Sequence, residues 1–350
     1  MKRIVVFSLM ASLLLFTACK KEFTITVKSN NESWGKVTGG GNYAKGTEVT
    51  LKATPTMSTY RFVKWEDGNT ENPRKIVVKQ SATYTAIFEE TTGGGGGIVP
   101  QDPLDIHTGI ACIDALATDM ILVNGGTFPM GALTTDTNAY PNERPQHNVT
   151  LSDFYICKYE VTQELWEAVM GGNPTYNSDG WTEYKGKGAK YPAYRISWNN
   201  CDTFIHRLND KTGLKFRMPT EAEWEFAAKG GNVTNRYTYA GSNILGDVAW
   251  CKDNSNDKTH EVMQKSPNEL GLYDMSGNVE EWCSDWYDVT YYRDSRDAVN
   301  PQGPASGTYR VSRGGDYDNG VNSCRVLRRN YTHPRMFYTN YGMRLALSAE

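Results

Sequence analysis

Between Phe23 and Phe88, apolar and polar residues alternate in short runs, "FTITV", "EVTLKA", "KIVVK" and "TYTAIF", set apart by Gly, Asn and Pro. Alternation puts every second side chain on the same face of a strand, so these runs predict a small all-β module. Phe62, Trp65 and Phe88 are expected to be its core, because a domain this small needs large apolar side chains to hold together. A surface Trp65 that stacks on carbohydrate is the competing reading. The run "TTGGGGGIVPQDP" that follows has the composition of a flexible linker. Beyond Met120 the period changes. In "SWNNCDTFIHRLNDKTG", Cys201, Phe204, Ile205 and Leu208 share one helical face, with Ser197 as N-cap and Gly213 as the stop. In "PTEAEWEFAAKGG", Thr220 and Glu223 make a capping box and Gly230 ends the helix. Most of the remaining sequence is aromatic and glycine-rich, which predicts short strands and long ordered loops.

The first nineteen residues stand apart. Lys2 and Arg3 precede "IVVFSLMASLLLF", an apolar run too short to cross a bilayer comfortably and shaped like a secretory leader. Thr17 and Ala18 directly before Cys19 resemble a bacterial lipobox. That resemblance implies that Cys19 begins the mature chain and carries lipid, anchoring the protein to a membrane of the bacterial cell envelope, expected to be the outer membrane, on a periplasmic or surface-facing side; an uncleaved anchor or a plain signal peptide with a chance cysteine is the competing reading. With 39% hydrophobic and 22% charged residues, the chain as a whole is of ordinary globular composition. A net charge of -3 without a basic stripe excludes nucleic acid as a partner. Six further cysteines, at 112, 157, 201, 251, 283 and 324, would sit in a compartment that permits disulfides, but their spacing does not say which pair. No CxxC or Cys/His cluster points to zinc, and the five histidines lack ligand spacing. His206, on the first predicted helix, is expected to be half-buried structure.

The phrases "GKVTGGGNYAKGTEVTLKATP", "YRFVKWEDG" and "TYTAIFEE" resemble the divergent internalin-type B-repeat, a small β-grasp-like module. Further on, "VNGGTFPMG", "ERPQHNVTLSDFYICKYEVTQELW", "YPAYRISWNNC", "FRMPTEAEWEFAAKGG", "NELGLYDMSGNVEEWCSDWY" and "YRVSRGGDY" occur in order, and the chain closes with "YGMRLAL". Together they resemble the formylglycine-generating enzyme, or sulfatase-modifying factor, family. The resemblance implies an α+β chain with an irregular C-type-lectin-like fold behind the small all-β module. Four segments follow: a leader at 1–19, a B-repeat module at 22–90, a Gly/Pro linker at 91–118 and the sulfatase-modifying-factor-like domain at 119–350.

Oxidases of that family use copper(I) and oxygen to convert a sulfatase cysteine to formylglycine, and their Arg-Gly-Gly loop carries a serine and two cysteines. Here the serine position is Asp316 and the first cysteine position is Asn319, so only the second, Cys324, is retained. Copper(I) is soft and favours two thiolates, whereas an amide oxygen is hard, so copper is not expected. The iron-dependent branch needs a histidine cluster that this chain lacks, and no GxSxG supplies a hydrolase nucleophile. A calcium site does follow from the resemblance, on Asp274, Gly277, Val279 and Glu281: hard oxygens on a tight glycine turn.

The loop from Arg313 to Cys324 and the stretch to Tyr341 are rich in Tyr, Asn, Ser and Thr, the residues of adaptable binding loops. Tyr317, Asn319, Asn322, Tyr331 and Tyr338 are expected to form a ligand-binding face, with Tyr317, Asn322, Tyr331 and Tyr338 exposed together. The segment also resembles the variable regions of lectin-fold proteins diversified by retroelements. Two functions compete. One is a lipid-anchored, non-catalytic binding module for an extracellular glycan, peptide or protein, with a structural role in a surface complex as its variant. The other is an oxidase of sulfatase cysteines. Asp316 and Asn319 discriminate between them.

Overall fold

The computed structural model describes residues 21–56, 60–90, 104, 106–174, 180–233 and 237–349. The leader, Cys19 and the glycine run lie outside these residues. The chain divides into two units, at 1–98 and 99–350.

In the first unit the alternating runs become strands. These are β1 (Glu22–Ser29), β2 (Gly35–Thr38), β3 (Gly41–Ala44), β4 (Glu48–Pro55), β5 (Tyr60–Trp65), β6 (Arg74–Val77) and β7 (Ala82–Glu90). One sheet has the order β3-β1-β7-β5 and the other β2-β4-β6. The first and last strands lie side by side in parallel, with Ile25 opposite Ala82. Alternation along β4 buries Val49, Leu51 and Ala53 on one face, and these meet Ile25, Trp65, Ala86 and Phe88. Trp65 is fully buried and its indole N–H donates to the Glu71 carbonyl at 2.9 Å. It is core, and its face is not available for stacking on a sugar.

The second unit is an α+β assembly of short elements. In order they are α1 (Ala111–Asp114), α2 (Leu116–Asp119), β8 (Met120–Val123), β9 (Gly126–Met130), β10 (His147–Leu151), β11 (Phe154–Cys157), α3 (Gln163–Met170), α4 (Trp198–Thr212), α5 (Glu221–Ala228), α6 (Leu245–Val248), β12 (Glu280–Trp286), α7 (Tyr291–Asp294), β13 (Ala298–Val299), β14 (Arg310–Arg313), β15 (Asn330–Thr332), β16 (Tyr341–Met343) and β17 (Ala346–Ser348). Among the described residues no helix is long and apolar enough to cross a membrane.

Both predicted helices form. Ser197 and Asn200 cap α4 reciprocally, and Gly213 stops it at φ 72°. Thr220 and Glu223 do the same for α5, which ends at Ala228 just before Gly230 turns the chain at φ 84°. The sequence reading had not singled out α3, although Thr162 caps its start and Gly171 ends it at φ 84°. His206 proves to be exposed, with a long 3.8 Å contact to Asp202, because it points away from the buried Cys201–Leu208 face.

Helix α5 shows how much of this unit depends on long-range partners. All eight of its residues are buried, three of them glutamates. A buried carboxylate is costly unless paired and hydrogen-bonded. Arg329 therefore grips Glu221 at 2.7 and 2.8 Å, Arg217 grips Glu223 at 2.6 and 2.7 Å, and Lys229 with Arg313 holds Glu225. The Arg313 and Arg329 contacts join α5 to the sheet β15-β14-β12-β16, whose loops carry the residues of interest.

Candidate functional site

The loop after β14 starts from a fixed point. Arg313 is buried, paired with Glu225, and donates to the Leu327 and Arg328 carbonyls at 3.3 and 2.8 Å. Gly314 and Gly315 follow at φ 97° and 69°, and the chain folds back so tightly that a Cβ on Gly315 would lie 2.8 Å from the Ser323 carbonyl oxygen. Only glycine fits such a left-handed, crowded position.

That return path seals Cys324. The thiol is fully buried in a small apolar cluster with Tyr239, Leu245, Val248, Ala249 and Cys251. Its Sγ lies 4.0 Å from the Asp316 and Asn319 carbonyl oxygens. Burial, with Asp316, Cys251 and Glu280 nearby, pushes the Cys324 thiol far above its ordinary range. The neutral thiol is a poor nucleophile and a poor soft-metal ligand, since both roles need the thiolate. Asn319 is half-buried and its backbone is pinned, its N–H donating to Asp316 O at 3.0 Å and its carbonyl accepting from Lys252 N at 3.0 Å. The one further thiol in this cluster, Cys251, comes from outside the loop, just after α6, and is equally buried.

Asp316 is buried as well. One carboxyl oxygen accepts from Asn340 Nδ2 at 2.7 Å and the other from Asp318 N at 2.8 Å. Beneath it lies Glu280, whose oxygens accept from the Ser312 hydroxyl at 2.7 Å and Asn330 Nδ2 at 3.1 Å, and whose N–H donates to Asn340 O at 2.8 Å. Burial pushes Asp316 up to about 6. Burial and the neighbouring Asp316 push Glu280 up to about 7. This acid pair ties the 316–319 turn to the 338–341 segment. Sequence reading missed Glu280, since nothing in "NVEEW" marks its first glutamate as buried.

Where those two segments face Lys185 and Arg195, they enclose a pocket of about 370 Å³ lined by Tyr317, Asp318 and residues 337–340. Tyr317 and Tyr338 therefore come together at one site. Their exposure differs from the expectation: Tyr317 is 2% exposed, with its hydroxyl 3.2 Å from Thr339 Oγ1, whereas Tyr338 is 44% exposed. Tyr331 does not join them. It lies in β15, at the opposite edge of the four-stranded sheet from β16, and stacks on Tyr287 at 3.9 Å. Asn322 is exposed but does not line the pocket. The expected single face is thus divided, because two strands, β14 and β12, lie between Tyr331 in β15 and the β16 edge beside Tyr338. Lys185 and Arg195 were missed because they come from a loop more than 120 residues upstream.

The residues read as a calcium site also fall together. Asp274 adopts φ 57° and is fully buried; its Oδ2 accepts from Met263 N at 2.8 Å, while its Oδ1 is buried without a hydrogen-bond partner. An orphaned buried carboxylate oxygen suits a hard cation. Gly277 takes the tight turn at φ 81°, and Val279 N donates to Glu160 Oε1 at 3.0 Å. Glu281 is otherwise engaged: both oxygens receive Arg344, and Oε2 also receives the Trp224 indole N–H at 2.7 Å. Glu160, another residue the sequence did not flag, is buried with its pKa raised by burial and by Asp274 and Glu281. Asp274 is itself pushed up to about 6, chiefly by burial.

The Sulfatase-modifying factor enzyme 1-like domain matches residues 113–349 and the Divergent InlB B-repeat domain matches residues 25–92. The chain is similar to the chaperone protein LppX of Paenibacillus barcinonensis, 33% identical over 261 residues, covering 60% of this chain and 82% of that protein. It is similar to the formylglycine-generating enzyme of Streptomyces coelicolor, 29% identical over 283 residues, covering 65% of this chain and 88% of that enzyme. Among solved structures, Treponema denticola variable protein 1 matches with a TM-score of 0.56 and 31% identity, covering 65% of this chain and 94% of that one.

Proposed function

The chain belongs to the sulfatase-modifying factor enzyme 1-like family, and within it we propose that this protein is a non-catalytic binding module, held on an envelope membrane by lipid on Cys19. The observation that carries this reading is the loop from Arg313 to Cys324. It keeps the family's glycines but has Asp316 and Asn319 in place of a serine and a thiol, and its single cysteine is sealed from solvent as a neutral thiol. Such a loop cannot present two thiolates to copper(I). What it does present is the wall of a pocket with aromatic, hydroxyl, amide and cationic groups, the mixture that binds a ligand and orients it. The ligand is an extracellular glycan, peptide or protein.

The competing reading is oxidation of a sulfatase cysteine, which the likeness to the Streptomyces enzyme supports. One experiment separates the two: the protein is supplied with copper(I), oxygen and a cysteine-containing sulfatase peptide, and aldehyde is sought by mass spectrometry. Alongside, a copper(I) chelator competes for the wild type, for Cys251→Ser and for Asp316→Ser with Asn319→Cys. We expect no aldehyde, weak copper binding by the wild type, and tighter binding by the double variant. Aldehyde from the unmodified protein would establish the oxidase instead. A structural calcium ion is part of the proposal: Asp274 Oδ1 would be its side-chain donor, and the backbone carbonyls of Gly277 and Val279 would complete the set that the family resemblance implies. Glu281 would join only by sharing an oxygen now held by Arg344.

A further inference from the structure

Arg195 occupies a backbone conformation that long side chains rarely adopt, at φ 60°. The surrounding structure imposes it. On one side, the carbonyl of buried Tyr194 accepts the Trp181 indole N–H at 2.9 Å; on the other, the carbonyl of buried Ile196 accepts the Trp282 indole N–H at 3.0 Å. With both neighbours clamped inward, Arg195 is forced outward into the pocket wall. Strain of this kind persists where the fold over-determines it, and it gathers at ligand sites.

The opposite cation is held just as firmly. Lys185 Nζ donates to the Asp257 carbonyl and pairs with its carboxylate, both at 2.9 Å, and lies 5.1 Å from the centre of the Tyr317 ring. Among the lining residues the single carboxylate is Asp318, which is turned toward Lys252 at 3.5 Å. Two cations thus face a wall of Tyr317, Phe337, Tyr338, Thr339 and Asn340. At about 370 Å³ the space is near the small end of ligand pockets, which run from roughly 300 to 1,000 Å³, and it suits a compact ring better than an extended chain.

We propose that this pocket takes a uronic-acid unit of an acidic saccharide, its carboxylate meeting Arg195 and Lys185 and its pyranose face lying on the exposed ring of Tyr338. Guanidinium and carboxylate match as a two-pronged pair, and the Lys185 ammonium, already held by Asp257, adds only longer-range attraction. The hydroxyl and amide groups of Thr339 and Asn340 offer partners to ring hydroxyls. This inference rests on the binding-module reading and sharpens it to one ligand chemistry.

The test is calorimetric titration of the full chain with α-1,4-trigalacturonate and a hyaluronan tetrasaccharide, against neutral trigalactose and triglutamate. At least one uronate should bind at least 10-fold more tightly than trigalactose and triglutamate, and more weakly as salt rises. Arg195→Asn is the informative variant, since asparagine tolerates the left-handed region: uronate binding should fall at least 10-fold while the melting temperature stays level or rises. Tyr338→Ala should weaken binding without affecting the fold. Equal binding of trigalactose, or unchanged uronate binding by Arg195→Asn, would overturn the acidic specificity and leave the binding module standing. Preference for triglutamate would overturn the saccharide. Failure of both uronates overturns the inference, and aldehyde formation in the sulfatase-peptide assay would remove the binding-module reading beneath it as well.

Discussion

Glu280→Gln should make the protein more stable in mild alkali and less stable in acid. Glu280 is 3% exposed, and its pKa is pushed up to about 7 by burial and by Asp316. A carboxyl raised in the folded state favours folding while it is protonated. That contribution is complete below its ordinary range and is lost as pH rises through about 7. Forcing the buried group to ionise costs about 3 kcal/mol, the displacement from an ordinary glutamate to about 7 expressed as free energy. Glutamine keeps the shape and never ionises. It retains an acceptor for the Ser312 hydroxyl but turns an N–H toward the Asn330 amide, which now donates at 3.1 Å, and that mismatch costs about 1 kcal/mol. The balance at pH 8 favours the variant by about 2 kcal/mol, a rise of about 4–8 °C in Tm for a unit of this size. At pH 4 the variant should instead be about 1 kcal/mol less stable. Urea melts of both proteins at the two pH values measure the crossing directly. A stability difference independent of pH would refute the reasoning, because it would mean that Glu280 is not held protonated by its surroundings.

Other outcomes follow from the same physical picture. Cys19→Ser should move the protein from the membrane fraction to the soluble one, and an unchanged fractionation would remove the lipid anchor. If calcium fills the gap beside Asp274 Oδ1, chelator should lower Tm in the wild type and have no effect in Asp274→Ala, since an ion bound only by the folded state stabilises it by mass action. Glu225→Gln should cost about 3–5 kcal/mol in chemical denaturation, because Arg313 would remain fully buried, and Lys229 half-buried, against an uncharged amide. Lys229 and Arg313 hold Glu225 down at about 2, so its contribution is present above the ordinary carboxylate range and lost as pH falls toward 2. Acid unfolding should therefore be shallower in that variant.

Local chemistry made much of this protein legible in its sequence. Alternation defined the strands of the first unit, capping residues defined α4 and α5, and the order of short phrases identified the family of the second unit. The loss of the oxidase residues at Asp316 and Asn319 could also be read directly, since it depends on residue identity within one loop. Tertiary structure alone decided which polar and aromatic groups meet. Tyr317, Tyr331 and Tyr338 look equivalent in a loop-rich segment, yet one is buried, one lies on the β15 edge and one opens into the pocket. Glu280 and Asp316 become a buried acid pair across 36 residues, and Arg195 reaches the pocket because two distant indoles clamp its neighbours. Periodicity and caps act within a turn or two of chain, whereas the position of a loop side chain is set by contacts from strands and helices far away in sequence. In a fold built largely of loops, the first kind of information outlines the architecture and the second builds the site.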